Sequence, residues 1–180
     1  MELTFGLKER LILANQYEIL SKISEDKSDA SYFENLAEIF RSGYTRNYEE
    51  AFKGFEENEL SQEDCKFVVD VLNLYRELYK TWEELEEVHE ILEEDDVLFQ
   101  GFDGNEEDQY YAYCKFLVED QGLWGELKDL MKEGKINLNS HRPMRDKYEN
   151  YLLKLKEIQS RKEYDVSEYL TLEEIEYILK

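Results

Sequence analysis

The chain has 180 residues, of which 44 are acidic and 22 basic, so its net charge at neutral pH is −22. A surface of this sign repels polyphosphates and anionic lipids, which argues against nucleic acid and membranes as direct partners. Hydrophobic residues nevertheless make up 42% of the chain and aromatic residues 14%, a composition typical of folded proteins. We therefore expect a soluble protein with a substantial core.

The acidic surface has two interpretations. Acidic helix faces keep many helical proteins soluble, and this is the simpler interpretation. The alternative is that the carboxylates imitate the charge of nucleic acid and bind a basic protein. Tight binding to such a protein that weakens steeply with salt would identify the second interpretation.

Helix is favoured over strand nearly everywhere. The chain has one proline, and Leu, Glu and Lys are abundant. At this length, folding buries roughly 70% of the surface that the unfolded chain exposes, which is enough for one core. We predict an all-α fold: a single multihelical domain over residues 1–180, with about seven or eight helices and no significant sheet.

Cysteine usage and the N-terminus indicate a cytoplasmic protein. Cys65 and Cys114 are the only cysteines, and their separation favours neither a disulfide framework nor a zinc site. The N-terminus lacks a basic segment followed by an apolar run, and no stretch approaches about 18 uninterrupted apolar residues. We expect neither secretion nor a membrane span.

The first helix is predicted from Thr4 or Leu7 to Ile23. Its apolar residues cover more than one stripe, so we expect it to be buried on two sides. Asn15 and Gln16 interrupt the apolar segment. Each can bond a partner, a ligand or, as the simpler interpretation has it, a neighbouring backbone group.

The next segments carry clear termination signals. A charged linker at residues 24–28 precedes a second helix that runs to Ser42, with Gly43 as its C-cap. A short helix is predicted over residues 47–55. It is too short to be stable alone, so it must pack on its neighbours.

The longest helix is predicted to begin after Ser61, with Asp64 three residues on as a second capping residue. Apolar residues then recur at helical spacing to about Glu90. Acidic residues crowd the second half of this helix, and their mutual repulsion should fray its end.

A glycine-bracketed turn precedes the next helix. Asp103 is predicted as its N-cap and Glu106 as the capping-box partner. The helix is expected over residues 105–122, with Tyr110 on its apolar face. The preceding residues 97–102 should be extended and unpaired, or only briefly bridged.

The remaining helices are shorter or begin at distinct signals. One is predicted over residues 123–132, and a loop follows at residues 136–142. Pro143 is placed at the first position of another helix that runs to about Arg161. Thr171 and Glu174 form a capping box for a terminal helix.

Motifs for catalysis or cofactor binding are missing from the sequence. His89 and His141 have no second histidine at helical spacing, and the Glu-x-x-His form that a di-iron site needs on two helices occurs once, at Glu86 and His89. Neither cysteine has a context that would lower its pKa. No glycine-rich phosphate loop occurs. We predict no cofactor and no metal site, and we favour a non-enzymatic protein over an uncharacterised hydrolase or metal-dependent enzyme.

Several short segments, in order along nearly the whole chain, match the pattern of a known family. The matching residues are Arg10 to Leu13 with Asn15, Gln16 and Tyr17, then Gly43 and Tyr44, then Gly101, Phe102 and Asp103 with Tyr110 and Tyr113, and finally Pro143 and Met144 with Lys147 and Tyr148. In these residues the chain resembles the YfbU family. That resemblance implies an all-helical fold without an established activity, and a suggested ligand-binding role.

The function predicted from these observations is a binding or interaction domain. Several tyrosines cannot all point into one core with their hydroxyls unsatisfied, so some should lie at an interface or pocket wall or, as the alternative, at the core boundary with their hydroxyls in water. These tyrosines are Tyr44, Tyr48, Tyr110, Tyr111, Tyr113, Tyr148 and Tyr151. We expect a homodimer or higher homo-oligomer, with a further protein or small-molecule partner. The predicted site joins two segments and is either a pocket or, as the favoured interpretation, a packing junction; its residues are Asn15, Gln16, Tyr17, Phe102, Asp103 and Tyr110.

Overall fold

A computed structural model describes residues 3–56, 58–161 and 169–180. Within these residues it contains eight α-helices, which confirms the all-α prediction. They are α1 (Leu7–Ile23), α2 (Lys27–Ser42), α3 (Gln62–Glu84), α4 (Glu94–Val97), α5 (Asp108–Lys115), α6 (Gly125–Lys132), α7 (Arg145–Arg161) and α8 (Leu172–Leu179). Two 3₁₀-helices lie at Thr45–Phe52 and Glu86–Glu90, and α5 continues into a π-helix at Phe116–Asp120.

Extended pairing in the described part of the chain is limited to one isolated parallel bridge. It joins Phe102 to Asn139. The Phe102 amide donates to the Leu138 carbonyl at 2.9 Å, and the Ser140 amide donates to the Phe102 carbonyl at 3.1 Å. The predicted brief bridging near residues 97–102 is confirmed.

The chain divides into two compact units, residues 1–59 and residues 60–180. Each unit has its own hydrophobic core. A single domain over the whole chain stays a prediction.

The N-terminal unit is a helical hairpin with a 3₁₀-helix packed on it. Salt bridges Arg41–Glu18 and Lys22–Glu34 join α1 to α2 and show that the two helices run antiparallel. The Asp26 carboxylate caps α2 and Gly43, at φ 73°, ends it, so the predicted C-cap is confirmed. The buried core residues are Ala14, Leu36, Ile39, Phe40, Tyr48 and Ala51.

The expectation that α1 is buried on two sides is wrong. Ala14 and Ser21 are its buried residues, and they lie on the face toward α2. The physical reason is that a hairpin covers each helix from one side only. The second apolar stripe of α1 is left in solvent.

The C-terminal unit is built on α3. Ser61 accepts the Asp64 amide at 3.0 Å, which confirms the predicted cap. The helix ends at Glu84 rather than near Glu90, and the chain continues as the 3₁₀-helix Glu86–Glu90. The sequence there is dense in carboxylates, whose repulsion opposes a continued helix.

Aromatic side chains of α3, α7 and the extended segment fill the centre of this unit. Tyr75, Phe99, Phe102 and Tyr148 are almost completely buried, with ring centroids 5.4 to 6.1 Å apart. The Tyr148 hydroxyl donates to the Gly101 carbonyl at 2.8 Å. Burial raises the pKa of Tyr148 well above its ordinary value.

Several predicted helix ends are displaced. Pro143 precedes α7 by two residues instead of occupying its first position, because the Met144 and Arg145 amides are bonded to a side chain of another segment. The helix expected over residues 105–122 begins at Asp108 and continues as a π-helix after Lys115. The Thr171 capping box of α8 is confirmed.

Candidate functional site

The predicted site residues Asn15 and Gln16 are exposed on α1. Their neighbour Tyr17 is half-buried: its hydroxyl donates to the Ala51 carbonyl at 3.4 Å, and its ring stacks on Phe40 with centroids 5.8 Å apart. Burial raises the pKa of Tyr17. Tyr17 therefore belongs to the core of the N-terminal unit, while the two amides face solvent.

Phe102, Asp103 and Tyr110 lie together in the C-terminal unit. The Phe102 ring is fully buried and its centroid lies 5.8 Å from that of Tyr110. These three residues and the α1 triplet belong to different units. A pocket formed by all six stays a prediction.

The buried Asp103 carboxylate closes the turn before α5. It accepts the Asn105 amide at 2.7 Å and the Glu106 amide at 3.4 Å. The residue that reaches back to the Asp103 amide is Glu107, at 3.0 Å. The predictions of Asp103 as the N-cap and Glu106 as its capping-box partner are therefore wrong, because a turn at residues 104–106 separates Asp103 from α5, whose N-cap is Glu107.

Glu107 also caps another helix. Its Oε1 accepts the amides of Met144 at 2.8 Å and Arg145 at 2.7 Å, at the start of α7. The carboxylate thus holds three backbone donors and lies at the positive end of a 17-residue helix. Glu107 therefore joins the turn that begins at Asp103 to the start of α7. The sequence spacing does not reveal this role, because Met144 and Arg145 are 37 and 38 residues away from Glu107.

Tyr110 is the centre of a polar cluster beside this junction. Its hydroxyl donates to Asp64 at 2.7 Å, and Arg145 donates to both the Tyr110 oxygen and, at 3.4 Å, to Asp64. Burial, and then the bond to Asp64, raise the pKa of Tyr110 to about 12. Hydrogen bonds from Ser61 and Tyr110 lower the pKa of Asp64. The cluster is internally bonded, as a structural junction should be.

A different surface distinguishes the N-terminal unit. Along α1, large aliphatic side chains that are 60 to 76% exposed form one stripe. The sequence signal for it is a spacing of four residues, which places side chains on one helix face. We call this surface the α1 face; its apolar residues are Leu7, Leu11, Ile12, Ile19 and Ile23, with Asn15 among them.

The charge of α1 differs from that of the whole protein. The helix carries three basic and two acidic residues in a chain of net charge −22. Both acidic groups are engaged locally, since Glu9 accepts the Gly6 amide at 2.7 Å and Glu18 pairs with Arg41 at 2.7 Å. The α1 face is therefore apolar and close to neutral.

Among residues 3–56, 58–161 and 169–180, no three His, Cys, Asp or Glu side chains are grouped so that they could hold a metal ion. None of the helices in those same ranges has the length and apolar character needed to cross a membrane.

Comparison with known proteins gives consistent matches over the chain. The sequence model of a family described as the YfbU domain matches residues 1–180. UPF0304 protein MJECS11 of Methanocaldococcus jannaschii is 38% identical to the chain over 159 residues, which cover 88% of the chain and 90% of that relative. A match of this length takes in residues of both compact units.

Proposed function

The chain belongs to the YfbU family, and we propose that it is a non-enzymatic interaction domain that acts as a homo-oligomer through the α1 face. The observation that carries the proposal is the exposure of five large aliphatic side chains on one helix. Single exposed leucines are ordinary on protein surfaces, whereas a contiguous apolar stripe marks an interaction site.

The size of the α1 face supports association. Five side chains of this size and exposure offer roughly 600 Å² of surface per copy, close to the share that each partner contributes to a small specific interface. Removing apolar surface from water stabilises a complex by about 25 cal/mol per Å², before the cost of association is subtracted. Affinity in the micromolar range is the reasonable expectation.

Charge determines where two such proteins can meet. Copies of net charge −22 repel each other over most of their surface. The α1 face is the favourable approach because its acidic groups are already paired or capping. Added salt should strengthen association, since salt screens the repulsion and leaves apolar burial intact.

The three predicted site residues of the C-terminal unit have contacts that favour a structural role for them. Phe102 and Asp103 are buried, and the Asp103 carboxylate accepts two amides of its own turn. Tyr110 is bonded to Asp64 and Arg145. We assign these residues to a packing and hydrogen-bond junction rather than to a ligand pocket.

Sedimentation equilibrium of the full chain tests the proposal. The expected weight-average mass exceeds the chain's 21.7 kDa and rises toward a multiple of it with concentration and with added salt. A mass of 21.7 kDa at every concentration and salt level would contradict it.

A further inference from the structure

Resting on the proposed function, we infer that the occupant of the α1 face is the α1 face of a second copy, packed antiparallel around a two-fold axis at Asn15. Such a contact is isologous: the same residues serve both copies, and each pair occurs twice. The α1 face has the symmetry that this contact requires.

The symmetry lies in the spacing of the exposed residues. Leu7, Leu11, Asn15, Ile19 and Ile23 follow one another at equal intervals of four positions on α1. Reversing the helix about Asn15 exchanges the first residue with the last and the second with the fourth. Leu7 then faces Ile23 of the second copy, Leu11 faces Ile19, and Asn15 faces itself.

Residues spaced by four form a continuous ridge on a helix surface. The axes of two packed helices cross at an angle, so contact concentrates near the crossing point. Asn15 would lie at that point, with Leu11 and Ile19 on either side of it and Ile12 beside them. These central residues should matter more for association than the terminal ones.

Asn15 explains why one register is preferred. A carboxamide has both a donor and an acceptor, so two copies on a two-fold axis can bond each other reciprocally. In a shifted register each amide would be buried against aliphatic carbon without that partner, which is unfavourable. A single polar residue in an apolar helix interface fixes register in this way.

Helix dipoles favour the antiparallel direction over the parallel one. In an antiparallel pair the positive end of each α1 lies near the negative end of the other. In a parallel pair the two positive ends lie close together, as do the two negative ends, and they repel each other. The two arrangements also bring different residues together, which makes them distinguishable by cross-linking.

The experiment uses full-chain variants that each carry one introduced cysteine in addition to the natural Cys65 and Cys114, and a short bis-maleimide linker. Asn15→Cys should cross-link to itself. Leu7→Cys alone should not, because the two positions are separated by roughly 24 Å along an antiparallel pair. A mixture of Leu7→Cys and Ile23→Cys chains should cross-link, as should a mixture of Leu11→Cys and Ile19→Cys. These mixtures keep Asn15 and so test the register independently.

The wild-type chain is the background control, since Cys114 is buried and Cys65 partly buried. Circular dichroism checks that each variant is folded. Self-cross-linking of Leu7→Cys, with none in the mixed pairs, would overturn the antiparallel contact while the proposed homo-oligomer stands. No cross-link in any sample, together with a mass of 21.7 kDa, would overturn both.

Discussion

The Tyr110 hydroxyl donates a 2.7 Å hydrogen bond to Asp64, which joins α5 to the first turn of α3. The Arg145 guanidinium completes the junction from α7 and lies 5.3 Å from the centroid of the Tyr110 ring. Three helices that are distant in sequence therefore meet at one phenol. Tyr110 also packs its ring on Phe102, so the junction continues into the aromatic core.

Replacing Tyr110 with Phe keeps the ring and removes the hydroxyl. We expect the free energy of unfolding to fall by about 1–2 kcal/mol, because Asp64 and Arg145 lose a shared partner. Urea denaturation measures the change, and Tyr44→Phe, at an exposed tyrosine, is the control. If the two variants are equally stable, the junction contributes nothing to the fold.

Glu107→Ala should be more damaging. It leaves three amides, those of Asp103, Met144 and Arg145, without their acceptor. A loss of about 2–4 kcal/mol is expected, since each buried donor loses its bond and α7 loses its cap. Glu106→Ala is the matched control one residue away, and thermal unfolding compares them. A larger effect at Glu106 would restore the capping box predicted from the sequence.

Gly101 and Gly54 form a matched pair of left-handed residues, with φ of 84° and 89°. A Cβ at Gly101 would lie 2.4 Å from the Leu138 carbonyl oxygen, whereas a Cβ at Gly54 meets nothing within 4 Å. Gly54→Ala should cost only the conformational strain, about 1 kcal/mol. Gly101→Ala should cost more, because the bridge to the segment at residue 139 must open. Similar melting temperatures would show that the close approach is unimportant.

Glu77 makes stability depend on pH. Burial, and then repulsion from Glu174, raise its pKa from 4.5 to about 6. The folded state therefore favours the neutral acid: the stability this gives is complete below the unfolded pKa and is lost as pH rises through about 6.

Glu77→Gln should consequently stabilise the protein at about pH 8, by about 1 kcal/mol once solvent screening is allowed for, and progressively less toward about pH 5. Thermal unfolding across this range measures the difference. Glu173→Gln, at an exposed carboxylate of α8, should show no such trend. A gain that is constant with pH would mean that Glu77 does not titrate in this window.

Caps that depend on neighbouring residues could be predicted from the sequence. Ser61, Thr171 and Gly43 terminate their helices as expected because a cap bonds to amides or carbonyls within one turn. The capping role of Glu107 could not be predicted in this way, because the tertiary fold brings its partners, the amides of residues 144 and 145, next to it.

The α1 face shows a different kind of limit. Periodicity identifies which faces of a helix are apolar, but it does not identify what covers them. The two apolar stripes of α1 predict a helix that is buried on both sides. In the structure, α2 covers one stripe and the other stripe is exposed to solvent. Asn15 and Gln16 interrupt the apolar segment of α1, and both side chains are exposed to solvent.

Asn15→Leu should tighten self-association and relax its register. A leucine extends the apolar stripe, while the reciprocal amide pair that selects one register is removed. The dissociation constant should fall by about tenfold, and higher oligomers should appear in sedimentation velocity. Weaker association than wild type would show that the Asn15 amide pair is worth more than the added apolar contact.

Light scattering of three proteins tests the central claim most directly: the wild-type chain, the double variant Leu11→Lys with Ile19→Lys, and Leu153→Lys. Leu153, on α7, is 58% exposed, close to the 60% of Leu11 and the 61% of Ile19. At a concentration well above the micromolar dissociation constant expected for the α1 face, we predict twice the chain mass of 21.7 kDa for the wild type and Leu153→Lys, and 21.7 kDa for the double variant. A wild-type mass of 21.7 kDa, or a double variant that stays oligomeric, would contradict the assignment of the α1 face.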